Sequence, residues 1–273
     1  MPVLQVLQLG TLDYGTALKL QETLVDLRKQ GRIGDTLLLL EHPPVITLGR
    51  NAQMANIVAS PELLAERGVE VFEINRGGDV TFHGPGQLVG YPIVDLRGDL
   101  RGHTPRLGAV EFVRKLEETL IRTCGEYHLS VERVPGLTGV WAEGANQRKI
   151  AAIGVHISRG VTSHGFALNV TVDLESFKLI VPCGISDKPV TSMERELGGR
   201  VTPGGRKLEM QPLSEVLTRQ FGNVFGTQIL WLESLDSLLN VGPANQDVPM
   251  REPDDLKQLH DEIAGHDDIS FSV

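Results

Sequence analysis

Residues 76–91, RGGDVTFHGPGQLVGY, hold five glycines in sixteen positions: Gly77, Gly78, Gly84, Gly86 and Gly90. Glycine bends into positive φ and lets backbone come close to a ligand. The spacing 84, 86, 90 is GxGxxxG, which is not a dinucleotide fingerprint, and no βαβ context surrounds it. No Gly-Lys-Ser/Thr follows, so it is not a Walker loop either. Two readings remain: two tight turns between strands, or a loop shaped around a ligand. Arg76, Thr81, His83 and Gln87 are inserted among the glycines, and all four can donate hydrogen bonds. Such groups on glycine-bent backbone suit a site that grips a polar head group.

The flanking segments predict an α+β layout, because strands come in groups rather than in strict βα alternation. Asp13 can cap a helix in which Ala17, Leu20, Leu24 and Leu27 recur at helical spacing until Gly31. Residues 36–40, TLLLL, read as a buried strand ended by Pro43 and Pro44, and 45–49 resumes an extended pattern. Residues 69–74 read as a half-buried alternating strand, and 89–94 as a second apolar run. The clearest helix covers 107–127, with Val113, Leu116, Leu120 and Cys124 on one stripe. Cys124 is therefore expected to be a buried core thiol. Strands are expected at 138–142, 148–157, 164–170 and 227–232, and a helix at 213–225.

Size and charge bound the function. The 273 residues suffice for one large domain or two small ones, and 41% hydrophobic residues is ordinary for a globular chain. A net charge of -9 argues against a generally basic nucleic-acid binder. That charge is uneven: residues 241–273 carry eight acids against two bases, or -6 of the -9. We expect residues 1–240 to be the main folded domain. Residues 241–273 then form an acidic C-terminal extension of disordered composition, with a short helix around 253–264. Two cysteines make no disulfide framework, and they suggest a reducing compartment. With no signal-like N-terminus and no long apolar run, a cytoplasmic protein with no membrane partner is expected.

Lys149 opens the segment KIAAIGVHI. In a regular strand it shares a face with Ala151, Ile153, Val155 and Ile157, an odd place for an ammonium unless a pocket opens there. His156 falls on the opposite face and reads as a solvent-side histidine without a role. Cys183, in IVPCGIS, lies between Pro182 and Gly184. It is either a buried loop cysteine or a nucleophile on a turn, whose thiolate a nearby ammonium would favour. In HGFALNV, residues 164–170, Gly165 and Ala167 could let a chain pack close to the backbone. Asn169 there is either a satisfied strand residue or part of a site.

Taken in order, RGGDVTFHGPGQLVGYPIVDL, KIAAIGVHI, HGFALNV and PCG resemble the lipoyl(octanoyl) transferases of lipoate biosynthesis. The resemblance covers residues from about 35 to 200. It implies a fold similar to the catalytic domain of biotin and lipoate protein ligases, with mixed and antiparallel sheets flanked by helices. It implies transfer of octanoyl from acyl carrier protein to a lysine of a lipoyl domain, without ATP, cofactor or metal. The acceptors would be the lipoyl domains of 2-oxoacid dehydrogenase complexes and the glycine cleavage H protein, and the enzyme would act as a monomer.

Carried over by motif, Cys183 forms the acyl-thioester and Lys149 pairs with it. Substrate contacts fall on Arg76, Gly77, Gly78, Asp79, Val80, Thr81, Phe82 and His83, on Ala152, Ile153 and Gly154, and on Gly165, Phe166 and Ala167. The rival readings are an ATP-dependent lipoate or biotin ligase, a thiol hydrolase, and a non-catalytic acyl-binding module.

Overall fold

The computed structural model describes residues 2–98, 106–144, 146–181, 188–199 and 208–240. Cys183 and the extension 241–273 lie outside the described residues. In chain order the elements are β1 (Val3–Thr11), α1 (Tyr14–Lys29), β2 (Asp35–Glu41), β3 (Val45–Leu48), α2 (Pro61–Glu66), β4 (Glu70–Glu73), β5 (Val80–His83) and β6 (Gln87–Ile93). They continue with α3 (Ala109–Gly125), β7 (Val131–Val134), β8 (Leu137–Ala142), β9 (Arg148–Ser158), β10 (Val161–Asn169), α4 (Met193–Leu197), α5 (Met210–Phe225), β11 (Gln228–Trp231) and α6 (Asp236–Asn240).

Eight strands form one mixed sheet in the order β11-β1-β2-β6-β10-β9-β8-β7. β1 runs parallel to both β11 and β2, and every later pair from β2 to β7 is antiparallel. A three-stranded sheet, β4-β3-β5, packs beside it. This is the α+β architecture expected from the grouped strands.

The large sheet is covered on both faces, which explains the continuous apolar run in β2. Leu37 and Leu39 join the core formed with α3 and α5, whereas Leu38 and Leu40 join the core under α1. The α1 helix starts where expected, with Asp13 Oδ1 accepting the Thr16 N–H at 2.8 Å.

Three expectations need correction or extension. No element was expected over Val3–Thr11, yet β1 joins β2 to β11, because Leu4, Val6 and Leu7 are buried between helices. In β4 the inward residue is Phe72, whose ring lies 5.1 Å from that of Tyr14; Val71 is 40% exposed, as an edge strand permits. On α3 the buried stripe is Phe112, Leu116, Leu120 and Cys124, with Val113 only half-buried. Cys124 is fully buried, and burial pushes its thiol up to about 12, so it is the core thiol expected.

Candidate active site

A cavity of about 220 Å³ opens where the α1 face of the large sheet meets β5 of the small one. The twist of the sheets brings together residues far apart in sequence. Arg76, Thr81 and His83 come from the glycine-rich run; Lys149, Ala152, Ile153 and Gly154 come from β9; Gly165, Phe166 and Ala167 come from β10. Ala167 pairs with Ala152 across the β9–β10 ladder, so two small side chains lie together on the floor.

The β5 strand sorts its residues by alternation. Thr81 and His83 point into the cavity, while Val80 and Phe82 enter the small-sheet core, where Phe82 meets Phe177 edge-on. Asp79 faces away too: it accepts the Val80 N–H at 2.7 Å and the Asn56 side-chain amide at 2.7 Å. Gly77 and Gly78 do not line the cavity. The Arg76 loop lies close against β9 because Gly154 has no side chain: a Cβ there would come within 2.7 Å of the Gly77 carbonyl oxygen. Arg76 itself is buried. Its guanidinium donates to the Thr47 carbonyl at 2.7 Å, the Thr47 hydroxyl at 2.9 Å and the Gly77 carbonyl at 3.0 Å.

Lys149 reaches the cavity by a route that strand periodicity does not predict. Val140 pairs with Ala151 but Trp141 pairs with Lys149, so β9 carries one extra residue, Ile150. Ile150 and Ala151 both enter the core beneath α3. The bulge thus separates Lys149 from the face of Val155 and Ile157, which packs on that core, and places it with Ala152 on the cavity side. Its side chain is only 8% exposed.

Gln87 does not grip a ligand. Its amide nitrogen donates to the Phe82 carbonyl at 3.2 Å and to Asn169 Oδ1 at 2.9 Å. Asn169 in turn donates to the Thr191 carbonyl at 2.9 Å, so it is a satisfied strand residue. The oxygen of Gln87 therefore accepts from His83 Nδ1 at 2.7 Å, which leaves the Nε2 lone pair as the atom His83 offers to the cavity. Burial, with help from the neighbouring His42, holds His83 down to about 3.

Sequence reasoning missed Tyr14, Tyr91, His42 and the cavity wall at Gly136, Leu137 and Thr138. Tyr91 closes the glycine-rich run, where neither glycine content nor the four donors single it out. His42 Nδ1 donates to the Leu12 carbonyl at 2.6 Å, so its Nε2 accepts the Tyr91 hydroxyl at 2.7 Å. Burial lowers His42 to about 4 and raises both tyrosines. His164, also on the wall, has a left-handed backbone (φ 54) and donates from Nε2 to Asn75 at 2.7 Å. Burial, then Arg76, lowers it to about 3. His156 is not a bare surface histidine, since the Arg50 guanidinium contacts its Nδ1. The site is therefore a set of neutral imidazoles and phenols beside two basic side chains, Arg76 and Lys149.

The model of the lipoyl protein ligase A/B catalytic domain matches residues 13–222, which include the small sheet, every strand of the large sheet except β1 and β11, and every wall of this cavity. The chain belongs to that family. It is 61% identical over 260 residues to an octanoyltransferase of Koribacter versatilis, covering 95% of this chain and 98% of that one. It is 59% identical to the octanoyltransferase of Acidobacterium capsulatum, over 87% and 96% of the two chains. Among solved structures, a bipartite lipoate protein ligase from Thermoplasma acidophilum superposes with a TM-score of 0.67 at 14% identity, over 97% and 93% of the two chains. A lipoate-protein ligase A bound with ATP gives 0.64 at 15% identity, over 88% and 93%. These two share the fold, as the resemblance implied.

Proposed function

We propose that the protein transfers an octanoyl group from acyl carrier protein to a lysine of a lipoyl domain, through a thioester on Cys183. The observation that carries this reading is the placement of Lys149 by the β9 bulge in a cavity floored by Ala152, Gly165 and Ala167, in a chain 61% identical to an octanoyltransferase. In the first step the Cys183 thiolate attacks the donor thioester carbonyl and the carrier thiolate leaves. In the second, the acceptor amine attacks the enzyme thioester, the Cys183 thiolate leaves, and the amine gives up a proton. Thioester exchange is nearly balanced and amide formation is downhill, so no nucleotide is consumed. Two large partners served in turn by one nucleophile give ping-pong kinetics.

Lys149 stabilises the thiolate of the free enzyme and, once acylation removes that charge, serves as base. The Nε2 lone pair of His83 accepts a hydrogen bond from the amine as it enters. Arg76, fixed on Thr47, lies at the polar end of the cavity. The acceptors are the lipoyl domains of 2-oxoacid dehydrogenases and the H protein, and residues 1–240 form the catalytic unit, acting as a monomer in the cytoplasm.

The test is intact-protein mass spectrometry after mixing the protein with octanoyl carrier protein, with and without a lipoyl domain and with no ATP. An octanoyl adduct that maps to Cys183 and moves to the lipoyl domain is expected. Transfer that requires ATP would make the protein a ligase, and loss of the adduct to water would make it a hydrolase.

A further inference from the structure

Lys149 has an aromatic neighbour that its role does not by itself require. Its ammonium lies 4.7 Å from the centre of the Trp141 ring, the residue it faces across the β8–β9 ladder. A second ammonium, that of Lys188, lies 5.7 Å from the same ring and donates to Gln147 Oε1 at 2.9 Å. Trp141 is a poor choice as mere filler. It is fully buried, yet its indole N–H has no hydrogen-bond partner among the described residues. A buried donor left unpaired is costly, and a leucine or phenylalanine would fill such space without one. What tryptophan supplies beyond either is the strongest π face for a cation.

The stem of Lys149 is fitted as closely as its head. Gly139, two residues before Trp141, has φ 123, and a Cβ there would lie 2.6 Å from the Ala151 carbonyl oxygen and 3.5 Å from Lys149 Cε. We propose that Trp141 is a positioning residue for Lys149, its indole face holding the ammonium at the cavity while Gly139 leaves room for the stem. The inference rests on the role given to Lys149 above. The attraction acts on the charged form of Lys149, so it orders the amine in the free enzyme, before the acyl group arrives.

Fluorinated tryptophans test this with only small changes in the size of the ring. Fluorine withdraws density from the π face and weakens its hold on a cation. The chain has two tryptophans, and Trp231 lies half-exposed on β11, so a Trp231→Phe background leaves Trp141 as the reporter. The full-length protein is made with tryptophan and with its mono-, di- and tetrafluoro forms. A stepwise fall in kcat of about fivefold across the series is expected, with KM for octanoyl carrier protein changing by less than about twofold. Trp141→Phe should retain more kcat than Trp141→Leu. A flat kcat across the fluorinated series overturns the inference, as does Trp141→Leu with wild-type kcat. Lys149→Ala, run in parallel, separates the two levels. If it abolishes transfer while the series is flat, only the positioning role fails. If it turns over like wild type, the role of Lys149 fails with it.

Discussion

Glu117 Oε1, on α3, accepts the backbone N–H of Gly139, on β8, at 3.1 Å. The carboxylate is fully buried and also pairs with Arg114 at 2.6 Å and Arg133 at 3.1 Å. It thus ties the β7–β8 hairpin, whose tip walls the cavity, to a helix on the far face of the sheet. Glu117→Gln keeps an acceptor for Gly139 but loses the charge. Both arginines are partly exposed and can rehydrate, so the expected cost is about 1–3 kcal/mol rather than the larger figure for a fully buried pair. Glu117→Leu should cost more and lower activity as well. Urea unfolding with parallel turnover measurements checks both; equal stability of Glu117→Leu and wild type would contradict it.

The two cysteines should behave differently. Cys124 is held protonated by burial, up to about 12, so alkylating agents at neutral pH should leave it untouched in the native state. Cys183→Ala should abolish acylation. Cys124→Ser should acylate normally while losing about 1–3 kcal/mol of stability, because a hydroxyl is buried there. Peptide mapping of the octanoyl adduct decides between them.

Lys149→Arg preserves a cation but not a group that releases its proton at accessible pH. Alkylation of Cys183 should stay within about tenfold of wild type, whereas transfer from the preformed acyl-enzyme to a lipoyl domain should fall by more than about a hundredfold. Alkylation rates with iodoacetamide and single-turnover transfer from the preformed acyl-enzyme measure the two apart. Equal loss in both would leave Lys149 an electrostatic role alone.

Chain-length preference should follow Ala167, which faces Ala152 on the cavity floor. Each buried methylene is worth about 0.8 kcal/mol, so an octanoyl chain gains roughly 3 kcal/mol over butyryl from its four extra methylenes. Ala167→Leu should remove most of that advantage while butyryl transfer persists. Donor competition between the two chain lengths reads it directly, and equal losses for both would remove Ala167 from the slot.

Three buried histidines set an acid limit on stability. His42, His83 and His164 are lowered to about 4, 3 and 3, against an unfolded value near 6.5. Between those limits the unfolded chain binds more protons than the folded one, so stability is complete above about pH 6.5 and falls as pH drops towards 4. A loss of several kcal/mol across that range is expected from urea titrations at stepped pH. His83→Gln should flatten part of the slope; an unchanged slope would mean that His83 is not buried neutral.

The chemistry-bearing segments were legible in the sequence because each is local: a glycine-bent loop, a lysine opening a strand, and small residues on a neighbouring strand. The helices that cover the sheet were legible too, since a stripe such as Leu116, Leu120 and Cys124 needs only helical period. Strand faces were less secure. The bulge at Ile150 puts Lys149 into the cavity against simple alternation, and a bulge is set by the partner strand rather than by the bulged residues. Gln87 looked like a ligand donor until the fold supplied His83, Phe82 and Asn169 as partners. Likewise, burial alone makes His42, His83 and His164 neutral, and burial is a property of neighbours brought from other strands. Short-range periodicity therefore determined which elements form, while long-range packing decided which of their polar groups remain free to act.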